Sequence, residues 1–247
     1  MARGWPLADV RSRAKFNTMS KPTRMTPSTE LDPFFYLGNA DDADWPSGVD
    51  FLGLALSRFD ATNPAPLVGL LLADEPLVVR RGLFLFGVLG KKAFPALDAA
   101  LKSVNHPVMS ARSNLTDGVI CYPRKLNPGQ AHRVLKLAND EEDLVRGKVV
   151  AFLGASLNQT IQSAVELFDE PERSEHMAGL QSFDTQHDDV QAAFDQALAT
   201  PSIRSTYVLA SIERLARSGG VARAPQYAGG SFLGQSVSAN IKRLARR

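Results

Sequence analysis

The chain has 247 residues, 44% hydrophobic and 22% charged, an ordinary globular balance for one large domain or two small ones. A single cysteine, Cys121, rules out an intrachain disulfide framework and a zinc site built from cysteines. No apolar run approaches the roughly 18–20 residues that span a bilayer, so no membrane association and a cytoplasmic, reducing setting are expected.

The net charge of +2 is unevenly placed. Residues 1–29 carry +5 and residues 241–247 carry +4, which leaves −7 on residues 30–240. A sheath for nucleic-acid phosphates needs a basic body. The acidic body steers instead toward a basic protein partner; nucleic acid is left to the two basic ends.

Residues 1–29 show no periodicity and are rich in Arg, Lys, Ser and Thr. They read as a basic flexible tail, and the composition also fits a transit peptide. Residues 30–61, with Phe34, Phe35, Tyr36 and then Trp45 to Phe59, read as an N-terminal cap. Asp41, Asp42, Asp44 and Asp50 surround Trp45 there.

From residue 63 onward proline punctuates the chain. Asn63-Pro64, Glu75-Pro76, His106-Pro107 after Asn105, Asn127-Pro128, Glu170-Pro171 and Thr200-Pro201 predict six helix starts. Proline at the first helical position loses no hydrogen bond, and Asn or Thr before it can cap. Helical spacing puts Leu67, Leu70 and Leu71 on one face, and likewise Val145, Val149, Phe152 and Leu153, and Tyr207, Ala210, Ile212 and Leu215. No period of two is sustained; Gly118–Tyr122 either forms a strand or ends a helix. Residues 218–236, with five glycines, read as a loop, and 237–247 as a short amphipathic basic helix with Val237, Ile241 and Leu244 on one face.

The segments repeat. Gly69–Gly90 and Leu135–Gly154 both run apolar helix, acidic turn, Val-Arg, second apolar helix, Leu-Gly. Their Val-Arg pairs, Val79-Arg80 and Val145-Arg146, lie two periods of about 33 residues apart. A middle copy falls at Phe94–Leu101 and the helix with Arg112, and a later one at Val190–Leu198 and the helix ending at Arg217. The stretch 155–189 exceeds one repeat, so an insertion or a long helix is expected. The pattern over residues 64–217 resembles the short bacterial HEAT-like repeats. That resemblance implies an all-α fold: a right-handed α-solenoid of antiparallel helix pairs, one domain over 30–247, with second helices lining a concave face. It also implies that Arg80, Arg112, Arg146 and Arg204 form a ladder with the acidic turns at Asp74-Glu75, Asp140–Asp143 and Asp188-Asp189.

No chemistry-bearing motif stands out. The four histidines, His106, His132, His176 and His187, form no HExxH; His176 and His187 flank a possible loop with several carboxylates, where solvated polar positions are expected. Cys121 has no sequence partner for nucleophilic catalysis. Gly87–Lys92 lacks the form of a phosphate loop, and Gly229–Gly234 that of a nucleophile elbow. No cofactor and no metal site are expected. HEAT-like proteins include DNA glycosylases and bilin lyases, but the aromatic and basic set of the former is missing from the repeats. The resemblance therefore points to a non-catalytic adaptor or inhibitor, in one version a toxin-neutralising immunity protein. Arg81, Arg112, Asp117, Lys148 and Tyr207, expected to be exposed on second helices, are the candidate partner-binding residues.

Overall fold

Each of the six prolines lies within two residues of a helix start in the computed structural model, which describes residues 53, 55–183, 189–221 and 223–245. The expected tail 1–29, most of the expected cap 30–61, and His187 fall outside the described residues. Eleven α-helices and no strand occur among the described residues.

Pro64 and Pro76 open α1 (Ala65–Leu71) and α2 (Pro76–Leu89). Leu67, Leu70 and Leu71 are buried on the one face of α1 that the spacing predicts. Gly90 ends α2 at φ +51°, a left-handed conformation that suits glycine. The chain then passes through a 3₁₀ segment, Gly90–Ala96, into the single turn α3 (Leu97–Ala100). Pro95 inside this stretch has no N–H to donate, which accounts for its tight, broken form.

α4 (Met109–Ile120) runs through the run that was ambiguous between strand and helix, and resolves it as a helix end. α5 (Pro128–Leu135) is capped by Asn127, whose side chain accepts from the Gln130 amide while Gln130 returns the bond. After a 3₁₀ turn, α6 (Asp143–Ala155) buries Val145, Val149, Phe152 and Leu153 as its spacing predicts. The long stretch 155–189 holds two short helices rather than one long one, α7 (Asn158–Val165) and α8 (Glu172–Leu180). α9 (Val190–Ala199) is capped by Asp189. Ser202, not Thr200, caps α10 (Ile203–Arg217). α11 (Phe232–Leu244) starts five residues before the expected 237, because Ser231 accepts from the Gly234 amide and supplies a cap.

The longer helices pack in a row: α2 on α4, α4 on α6, and α6 on α10. The shorter ones pair beside them, α1 on α2 and α5 on α7. α2 and α4 meet closely because Gly118 has no side chain. A Cβ there would lie 2.2 Å from Cε1 of Phe86, which is fully buried. α10 is enclosed by α6, α8, α9 and α11, and Ile203, Tyr207, Leu209, Ala210, Ile212 and Ala216 are all buried on it. α11 lies against both α6 and α10 and buries Val237, Ile241 and Leu244. No described helix is long and apolar enough to cross a membrane.

Candidate binding surfaces

Of the five residues expected on an exposed partner-binding face, three are buried. Arg81 is 1% exposed. It stands three residues from Val78 and four from Leu85, on the buried stripe of α2, so helical register turns it inward. Arg112 is 7% exposed and is spent on a bidentate pair with Asp140, Nε to Oδ2 at 2.6 Å and Nη2 to Oδ1 at 2.9 Å. Its Nη1 also donates to the carbonyl of His106 at 2.9 Å. That hydrogen bond to Asp140 raises the Arg112 pKa. Tyr207 is fully buried in α10, enclosed by α8.

Asp117 and Lys148 remain half-exposed, and the structure brings them together. Lys148 on α6 reaches Asp117 Oδ2 at 2.6 Å and Ser113 Oγ at 2.5 Å, both on α4. Ser113 and Asp117 are four residues apart, hence on one helix face. The cluster fastens α4 to α6.

One rung of the expected arginine ladder is formed by Arg112 and Asp140. Arg112 reaches across to the acidic turn before α6, while Arg146 binds Asp143 and the Asp140 carbonyl at the start of its own helix. Asp189 is used as a cap for α9, and Arg204 is exposed. Asp140–Asp143 does lead into a helix N-terminus, where carboxylates suit the helix dipole.

His176, expected in solvent, is buried, and so is His106. His106 Nδ1 accepts from the Val108 amide at 3.1 Å, which leaves Nε2 to donate to the Pro76 carbonyl at 3.2 Å. His176 is 1% exposed, stacks on Phe168 with centroids 4.2 Å apart, and meets the Tyr207 hydroxyl at 2.9 Å through Nδ1. His132 packs on Phe168 as well, 4.2 Å between centroids, so one phenyl ring lies in contact with both imidazoles. Phe183 continues the chain against Tyr207, and the Arg214 guanidinium sits 4.4 Å from the Phe183 centroid. Gly179 makes room: a Cβ there would meet Tyr207 Cδ2 at 2.6 Å. Burial lowers the pKa of His132, and lowers that of His176 to about 4. Burial thus favours the neutral form of both rings.

Two surface features among the described residues bear on binding. The first is an acidic edge at α7 and α8. Glu166, Asp169, Glu170, Glu172 and Glu175 are all exposed, and Arg173 is the one basic residue between 166 and 175. Leu167 (53% exposed) and Met177 (41% exposed) stand among them. Glu166, Glu170, Arg173 and Met177 line a shallow hollow of about 290 Å³. The second feature is a basic hollow where α2, α4, α6 and α10 end, lined by Lys91, Arg124, Lys125 and Arg217. Among the described residues no three His, Cys, Asp or Glu side chains gather as a metal site. The chain matches no protein-family model, no curated protein and no solved structure.

Proposed function

We propose that the chain is a non-catalytic, cytoplasmic binding module of the HEAT-like type, a right-handed stack of antiparallel helix pairs that holds a basic protein partner at the acidic edge of α7 and α8. One observation carries the partner assignment: five exposed carboxylates face a single arginine around the exposed apolar side chains of Leu167 and Met177. Apolar anchors ringed by one sign of charge suit protein recognition, with the apolar groups giving affinity and the charge giving steering. Support for the stack comes from the α2–α4–α6–α10 row and from the Arg112–Asp140 bridge between successive pairs. Neutralisation of a basic toxin is one form this binding takes.

A photo-crosslinking amino acid placed at Met177, and separately at Lys148, tests the assignment in the native host. The reading expects a discrete crosslinked product with a basic protein from position 177 and none from 148. Crosslinking from 148 alone would move the partner to the α4–α6 face, and no product from either would remove the stable partner.

A further inference from the structure

We propose that the basic hollow at the C-terminal ends of α2, α4, α6 and α10 is a binding site for a small phosphate monoester carrying a planar apolar ring. The hollow encloses about 380 Å³, within the range of small-molecule sites. Its rim carries Lys91, Arg124, Lys125 and Arg217, and no carboxylate lines it. Its wall is aromatic: Phe94 and Tyr122 meet edge-on with centroids 4.8 Å apart. The charge matches an anion and the wall matches a ring.

Cations also collect at helix C-termini for a purely structural reason, because the exposed carbonyls there are negative. That reason accounts for Arg124, and a carboxylate partner accounts for Arg217. Arg124 Nε donates to the Ala155 carbonyl at the end of α6, at 3.4 Å, and Arg217 Nη2 bonds Glu213 Oε1 at 2.6 Å. It does not account for Lys91 and Lys125, whose ammonium groups have no carboxylate or carbonyl partner among the described residues. Lys125 Nζ instead stands 5.9 Å from the centre of the Phe94 ring, beside the wall. Tyr122 lines the hollow and is 4% exposed, and its oxygen is enclosed with no hydrogen bond inside the protein. A phosphate monoester, with close to two negative charges and three acceptor oxygens, uses two ammonium groups and a guanidinium more fully than a carboxylate does.

Titration calorimetry of the full chain with phenyl phosphate, inorganic phosphate and phenol tests the proposal. The expected result is that phenyl phosphate binds about tenfold or more tighter than inorganic phosphate or phenol. The double variant K91Q/K125Q is expected to weaken phenyl phosphate about tenfold or more. The control K92Q/K102Q changes two exposed lysines outside the lining and is expected to leave binding unchanged. All four positions lie on the surface, so both variants keep the fold. Phenyl phosphate binding no tighter than inorganic phosphate, an equal loss in the two double variants, or no binding at all would each overturn the assignment.

Discussion

Acid destabilises this fold through His176. The ring is 1% exposed, stacked on Phe168 and hydrogen-bonded to Tyr207. Burial, with a smaller contribution from His132, lowers its pKa from 6.5 to about 4. As the pH falls below 6.5, the unfolded chain takes up a proton that the folded chain refuses until about pH 4. The unfolded state therefore holds more protons across this window, and stability falls with the pH. At about 1.4 kcal/mol per pH unit, the whole interval is worth roughly 3 kcal/mol. Roughly 2 kcal/mol of it is lost between about pH 7 and about pH 4.5. Carboxylates also titrate toward the lower end, so the comparison needs a non-titrating reference. His176→Gln keeps a hydrogen-bonding side chain beside Tyr207 without a titrating ring. Urea unfolding at a series of pH values should show the native chain losing roughly 2 kcal/mol more than the variant over that interval. Parallel losses in the two proteins would refute the reasoning, since His176 would then titrate alike in both states.

Three further outcomes follow from the packing. Asp140→Asn leaves the Arg112 guanidinium, in a side chain 9% exposed, without its bidentate carboxylate; we expect a loss of about 3 kcal/mol and a fall in Tm near 10 °C by calorimetry. Gly118→Ala drives a methyl group to 2.2 Å from Phe86 Cε1, between two helices that already touch. Overpacking of this kind costs about 1–3 kcal/mol, read as a lower urea midpoint with an unchanged slope. Cys121 is half-buried, donates to the Asp117 carbonyl, and has its thiol pKa raised by burial. It should alkylate with iodoacetamide more slowly than a free thiol at neutral pH, and an equal or faster rate would contradict that environment.

Helix starts were legible because proline acts locally: it fixes its own φ and forfeits a donor that a first turn does not need. The pair α9 and α10 could be read almost to the residue for the same reason, with Pro201 between them. Which side chains face outward was not legible. One residue of helical register moves a side chain by about 100°, and Arg81 falls inward by that margin. α10 hides its depth in a different way. Its sequence includes Ser205, Thr206, Ser211 and Glu213, a pattern that reads as half-solvated, yet all four are buried. Backbone acceptors satisfy the hydroxyls of Thr206, at the Ala138 carbonyl, and Ser211, at the Val208 carbonyl. The cover comes from α8, α9 and α11, which no local pattern assigns to it.

The same limit hid the His132–Phe168–His176–Tyr207 cluster. Its members come from α5, the α7–α8 connection, α8 and α10, at spacings that carry no motif. The acidic edge was only half visible. The deficit of −7 over residues 30–240 was countable, but the sequence pointed to the second helices as the binding face. The exposed anchors Leu167 and Met177 lie instead where the regular repeat breaks off.

The most direct measurement compares the tagged native chain with E166Q/E170Q/E175Q, each recovered from its host at low and at high salt, followed by remixing of the purified components. The account predicts one stoichiometric basic protein on the native chain, released by salt, absent from the variant, and rebinding at a ratio of one to one. Retention of the same protein by both chains, or recovery of nucleic acid in its place, would contradict it.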